Sequence, residues 1–339
     1  LAFPPAPSRA GLRVCACDSR QPPHDRGSSH GESRIIRAAY FEDPIYAPLA
    51  RRALTLWRAL EEETGRSLLR VRGGLNIGPD DGSLVRGALT SARSHGIPHE
   101  RIGGAELMQR YPALRMESGE AAVFEPNAGI LDPEQCVAAQ IESARAAGAQ
   151  LRLGDGLVGW RRVGAELRIT TAGGECTARR LVLALGAWLP VFRPDLPLQV
   201  ARQPAFWFDP IEPAIHAPER LPHFLIEFEP RRVFYGFPDL GSGLKCALHH
   251  EGEITTAEGV DRAPRPSEQE GVRSLLERFL PRAAGALRDS AVCLYTNTPD
   301  GHFLMHRDPA EPGVWLLSAC SGHGFKFAPA LAELLLEPL

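Results

Sequence analysis

The segment Ser321-Gly322-His323-Gly324-Phe325-Lys326-Phe327 sets two glycines and a lysine between two apolar runs. The run before it, Val314 to Ala319, reads as a buried strand. The run after it, Ala328 to Leu336, is rich in Ala and Leu and reads as a helix. Glycines at a strand-to-helix turn leave backbone N–H groups free and let a ligand approach closely. Lys326 then falls just inside a helix start, where the macrodipole disfavours a cation. Either an anion faces it or it stands in a solvated cleft, and read alone a solvated lysine on a glycine turn is sufficient.

A second cationic pattern lies near the N-terminus. Pro22 to Arg37 is polar and ends with Arg34 and Arg37, three apart. On a helix that spacing brings the two guanidinium groups together. A solvated helix start explains them, and so does a paired site for a carboxylate or phosphate, which arginine binds in a fork. Asp18 ends a short predicted strand, Gly11 to Asp18. An acid there bonds ribose hydroxyls in dinucleotide folds, provided that a G-x-G-x-x-G turn precedes it. Leu1 to Ala10 has three prolines, no periodicity and no such turn.

Composition narrows the classes. The chain has 339 residues, enough for about two domains. Its net charge of -3 argues against nucleic-acid binding or a polybasic membrane surface. No apolar run approaches the ~20 residues of a membrane span, and no signal peptide is visible. Seven scattered cysteines do not form a secreted disulfide framework. Cys15 and Cys17 read as buried small apolar residues, no metal site is completed, and a cytoplasmic protein is expected.

The elements that must position these residues follow from periodicity. Tyr46 to Glu63 predicts an amphipathic helix, with Leu49, Ala53, Leu56, Trp57 and Leu60 as core. Further helices are predicted at Ser83–His95, Gly104–Arg110, Val137–Ala147 behind Asp132, and Ser267–Leu280. Strands are predicted at Gly73–Gly78, within Ala121–Leu131, and at Gln150–Leu153, Leu157–Val163 and Leu167–Thr171, with a hairpin at Ala172-Gly173-Gly174. Arg180 to Trp188 reads as one apolar strand of a parallel sheet covered on both faces, with Gly186 at its ligand-binding end. Runs at Ala205–Phe208, Phe224–Phe228 and Val233–Phe237 predict an antiparallel sheet, hence a second domain. Ser290 to Thr296 is expected to carry the chain back to the first domain. Phe206, Trp207 and Phe208 are expected to pack under the sheet rather than line a pocket.

Four segments in order and spacing resemble the monomeric sarcosine oxidase and N-methyltryptophan oxidase family. They are GSSHGESRIIRAAY, YGFPDLGSGLK with His249 beyond it, AVCLYTNTPDGHF, and SGHGFKF. The resemblance runs from about Gly11 to the C-terminus. It implies an α/β fold, with a Rossmann-like FAD-binding domain and an α+β substrate domain on a mixed, largely antiparallel sheet. The implied boundaries are 11–72, 128–192 and 288–339 for the first domain, and 73–127 with 193–287 for the second.

The resemblance implies FAD attached through Cys293. Lys245 matches a lysine beside the flavin that promotes oxygen reduction, where a fixed cation stabilises developing peroxide charge. Arg37 and Lys326 match the two cations that hold the substrate carboxylate. Tyr235 and His249 match residues of the substrate cavity that orient the amine. His30, Arg34, Trp188, Tyr295, Gly322 and Gly324 fall near the cofactor, and Asp18 at its adenine end. The implied reaction oxidises sarcosine or a similar N-methyl amino acid to the primary amino acid, formaldehyde and hydrogen peroxide. No side chain accepts hydride, so such a reaction requires a cofactor. N-methyltryptophan, pipecolate-type amines and a non-catalytic fragment are the alternative readings. The family's first strand with its glycine-rich turn, and its last strand and helix, have no counterpart here. The expectation is that this polypeptide binds FAD poorly or not at all and a longer one covalently. The implied partners are the small amine and oxygen, with no nucleic acid or membrane, and the protein is expected to be a monomer.

Overall fold

The computed structural model describes residues 11–335. The expectations made for Leu1 to Ala10 and for the end of the last helix lie outside the described residues.

The largest element is a nine-stranded sheet. Its edge strand Ile254–Thr255 is followed by Gln199–Phe208, Leu244–His249, Arg232–Asp239, His223–Glu229, Gly74–Pro79, Glu120–Glu125 and Glu100–Gly103. The ninth, Leu287–Asn297, also pairs with Gln199–Phe208. The pairings are antiparallel except that of His223–Glu229 with Gly74–Pro79. Strand alternation gives the sheet two different faces. Phe206, Phe208, Leu244, Cys246, Phe224 and Phe234 point one way and pack with Val272, Leu276 and Phe279 of the helix Pro266–Phe279. Ala205, Trp207, Ala247 and Tyr235 point the other way. The expected packing role holds for all three: Phe206 and Phe208 pack on the helix side, and buried Trp207 packs on the other face, with Lys245 Nζ 5.1 Å from its indole.

Four smaller sheets accompany it. Cys15–Asp18 runs parallel to Gln150–Leu153. Leu181–Leu183 runs parallel to Val314–Ser318, which pairs antiparallel with Leu304–Arg307. Leu157–Val163, Glu166–Thr171 and Gly174–Ala178 form a meander through the expected hairpin. Arg34–Ile36, Gly129–Leu131 and Leu69–Val71 form the last. The helix Tyr46–Thr64 buries Ala53, Trp57 and Leu60 against Ile36, Leu131 and Ala330. Among the described residues no helix is long and apolar enough to cross a membrane.

Several expectations are corrected. Arg34 and Arg37 are not on a helix. Arg34 opens the strand Arg34–Ile36 and Arg37 follows its end, so the helical spacing does not apply, although both residues line the cavity described below. The apolar run at Arg180 is a strand only over Leu181–Leu183 and then turns into a 3₁₀ turn at Gly186–Trp188. It is not covered on both faces, since Val182 is exposed. Cys15 is exposed and Cys17 half-buried, not core. The strand expected at Ser290–Thr296 is the longer Leu287–Asn297. It crosses the large sheet in ten-residue register with Gln199–Phe208.

Candidate active site

The open face of the large sheet forms one wall of a cavity of about 690 Å³. The strand period aims its residues there. Gln203 and Ala205 on one strand, Lys245 and His249 on its neighbour, Tyr235 and Phe237 on the strand beyond, and Cys293 and Tyr295 on a fourth all line it. The rest of the lining comes from Asp18 at the end of the first strand, Gly186 to Trp188, Ser28, Ser33, Arg34 and Arg37, and Gly322 to Lys326. Arg37, Lys245, Cys293 and Lys326 thus share one cavity. His30 does not line it but lies behind Cys293.

Cys293 is placed by its register opposite Gln203. Its Sγ lies 3.4 Å from His30 Nε2 and 3.7 Å from an Arg34 nitrogen. Burial raises the thiol's pKa, but the His30 hydrogen bond and the charges of Arg34, His30 and Lys245 outweigh it and bring it down to about 6. Arg34 is held in turn by the carbonyls of Ser33 and Ser28, each at 2.7 Å.

Lys326 is buried, so the solvated reading of this lysine fails. It lies in a 3₁₀ turn, Phe325–Phe327, whose backbone is fixed by Trp57 Nε1 donating to the Lys326 carbonyl at 2.8 Å. Its ammonium donates to the His323 carbonyl at 2.7 Å and to the Tyr40 hydroxyl at 3.0 Å. Burial first, and then the charge of Arg37, lower its pKa to about 7. Arg37 is buried, with Nη2 donating to both carboxylate oxygens of Glu42 at 2.8 Å and Nη1 to the Ala39 carbonyl at 3.2 Å. The turn between them is fixed by buried Glu125, which accepts from the Ala38 and Ala39 N–H groups at 2.9 and 2.8 Å.

Lys245 is also buried and not a surface residue. Burial, then the Arg34 charge, lower its pKa to about 7. His249 is held neutral, its pKa pushed well down by burial and by His250, His323, Arg37 and Lys326. Its Nδ1 lies 3.3 Å from the Tyr295 hydroxyl. Burial pushes Tyr235 up to about 12, and Tyr295 well above its ordinary value. Gly322 has φ +75°, and a Cβ there would lie 2.6 Å from Tyr295 and 2.8 Å from His249. Trp188 Nε1 donates to Glu258 at 2.5 Å, and both residues line the cavity. At the far end Asp18 accepts from the Arg20 N–H at 2.8 Å and lies 3.7 Å from His24.

Glu42, His323 and Ser33 also line the cavity, and buried Tyr40 bonds Lys326 and His323; none of the four was assigned a role from the sequence. Tyr40 and Glu42 follow Arg37 closely, and an acid near a lone buried arginine is the signal that could have found them.

The cavity fits an elongated cofactor. Gln203 Nε2 and Ser318 Oγ line it, are buried and lack a hydrogen-bond partner, as groups that await a ligand do. The chain of Gly322 to Gly324 presents bare backbone to the same space.

Residues 6–337 match the family of FAD dependent oxidoreductases known as DAO. The chain belongs to this family. It is 37% identical to the monomeric sarcosine oxidase of Streptomyces avermitilis, over 97% of this chain and 88% of that protein. It is 33% identical to the N-methyl-L-tryptophan oxidase of Yersinia pestis, over 96% and 88%. Among solved structures, the fold matches NikD, an unusual amino acid oxidase essential for nikkomycin biosynthesis, with a TM-score of 0.84 at 20% identity, over 100% of this chain and 91% of that one. It also matches L-proline dehydrogenase from P. horikoshii, with a TM-score of 0.85 at 21% identity, over 98% and 88%.

Proposed function

We propose that the protein is an FAD-dependent oxidase of sarcosine or a similar small N-methyl amino acid. The observation that supports this most is that two buried cations, Arg37 and Lys326, and the thiol of Cys293 line the same cavity. FAD in that cavity would accept the hydride equivalent from the substrate and pass two electrons to dioxygen. The balanced reaction takes the N-methyl amino acid, oxygen and water to the primary amino acid, formaldehyde and hydrogen peroxide. Asp18, Ser318, Gln203, Trp188 and the backbone of Gly322 to Gly324 would hold the cofactor, and Cys293, poised as a thiolate, would tether it.

Arg37 and Lys326 would bind the substrate carboxylate. Lys326, its pKa lowered to about 7, binds the anion as the ammonium, and the arriving carboxylate raises that pKa and draws a proton onto it. Neutral His249 and the phenols of Tyr235 and Tyr295 would orient the amine. The surrounding positive charge favours the uncharged amine, which is the form that gives up hydride. Lys245 would face dioxygen and stabilise its developing negative charge. In this reading residues 11–72 and 128–192, with the C-terminal segment, hold the cofactor. Residues 73–127 and 193–287, with the strand Leu287–Asn297, carry the substrate. A monomer in the cytoplasm is the setting we infer.

The test is peroxide formation by the FAD-loaded protein across a panel of N-methyl amino acids and the matching N-methyl amines without a carboxylate. Turnover is expected with the acids and strongly reduced with the amines. Equal turnover of both sets would remove the carboxylate site.

A further inference from the structure

Lys245 is seated by a turn that belongs to another part of the chain. Its Nζ donates to the Gly31 carbonyl at 2.6 Å, with the Ser33 hydroxyl and carbonyl at 3.2 and 3.3 Å. The rings of Trp207 and Phe237 flank it at 5.1 and 5.2 Å. The turn is unusual in its backbone: Gly31 has φ +92° and the next residue, Glu32, has φ +67°. A left-handed residue other than glycine costs on the order of 1 kcal/mol and persists only when its surroundings hold it.

What holds it is Glu134, in the first turn of the helix Pro133–Ala146. Its carboxylate does not cap its own helix. It accepts from the Gly31 N–H at 2.6 Å and from the Glu32 N–H at 3.2 and 3.4 Å. The Glu32 carboxylate is taken separately by Trp207 Nε1 at 3.0 Å. A Cβ at Gly31 would lie 3.5 Å from Lys245 Nζ and 3.7 Å from Trp207, so turn, ammonium and indole are in contact. The charged and titratable groups around the ammonium are Arg34, Cys293, Glu134 and Glu32. One of these is the cation that disfavours it, and the two carboxylates oppose that cation.

We propose that Glu134 is a positioning residue for Lys245: through the Gly31–Glu32 turn it fixes the carbonyl that seats the ammonium, and its negative charge keeps that ammonium protonated. The proposal rests on the reading of Lys245 as the cation that faces dioxygen.

The first test needs no cofactor. Acylation of the flavin-free chain is followed against pH and read at single lysines by peptide mass. In E134Q the Lys245 midpoint should fall by about one unit, as expected when a near opposite charge is removed, while that of Lys326 stays in place. E134D, which keeps the charge, should restore most of the midpoint and serves if E134Q folds poorly. The second test uses FAD-loaded protein reduced anaerobically by substrate and then mixed with oxygen. The ammonium is the active form, so reoxidation should be lost as pH rises through the Lys245 midpoint. In E134Q that loss should come at lower pH, with anaerobic reduction unchanged, and E134Q should add nothing in a K245M background. An unshifted Lys245 midpoint and an unshifted reoxidation profile in E134Q, with K245M slow to reoxidise, would overturn the proposal alone. Normal reoxidation in K245M would overturn the reading beneath it.

Discussion

Cys293 Sγ lies 3.4 Å from His30 Nε2, on the strand that lines the cavity from the sheet side. This contact, with Arg34 beyond it, turns an ordinary strand thiol into a nucleophile. The flavin-free chain should therefore be alkylated at Cys293 with a pH midpoint near 6, read by peptide mass. R34Q should raise the midpoint by about one unit or more, because a cation that favours the thiolate is gone. A wild-type midpoint in the usual thiol range would show that the contact does not activate the sulfur.

Burial of Lys326 has a consequence for stability. Its folded pKa, about 7, lies below that of an unfolded lysine. Between the two values the unfolded chain binds the extra proton, so stability rises with pH across that window. Below about 7 both states are protonated and the full cost of the buried charge remains. K326M should therefore stabilise the cofactor-free protein at pH 6, and the gain should shrink as pH climbs toward 10. Thermal unfolding at both pH values measures it, and a gain that grows with pH would contradict the assignment.

Glu42 takes Arg37 Nη2 with both carboxylate oxygens, a donor that a substrate carboxylate would use. R37Q should raise KM for an N-methyl amino acid by roughly tenfold to a hundredfold, the size of one charge-assisted hydrogen bond of about 1.5–3 kcal/mol. E42Q should act in the other direction, tightening the binding of acetate several-fold by removing the competitor. Titration of the flavin spectrum with acetate reads both, and weaker acetate binding in E42Q would show that Glu42 supports Arg37 instead of competing for it.

Gly322 meets two constraints at once, a left-handed φ and a space closed by Tyr295 and His249. G322A should force those rings aside. Activity is expected to fall at least tenfold, with a stability cost of about 1–2 kcal/mol from the backbone conformation. Turnover close to wild type, at unchanged melting temperature, would mean that the rings do not need their present places.

Much of this was legible from local pattern. The helix Tyr46–Thr64 follows from its apolar spacing, and the antiparallel sheet from short strand-like runs such as Ala205–Phe208 between proline-rich loops; in the sheet, neighbouring residues alternate between its faces. That alternation also sorts Lys245 from Cys246, one to the cavity and one to the core. What was misread depends on distant partners. Arg34–Ile36 is a strand because Gly129–Leu131 pairs with it, which no local signal announces. Lys326 looked solvated because the elements that bury it, near Tyr40 and Trp57, lie far away in sequence. Glu42 reaches Arg37 only because Glu125, from the large sheet, ties down the turn between them.

The most direct measurement of the central claim uses sarcosine labelled with carbon-13 in its methyl group. If Arg37 and Lys326 grip the carboxylate, the methyl carbon is the one presented for oxidation, and the label should appear in formaldehyde, with glycine and peroxide in equal amount. Label recovered in methylamine, with glyoxylate as the partner product, would contradict the account.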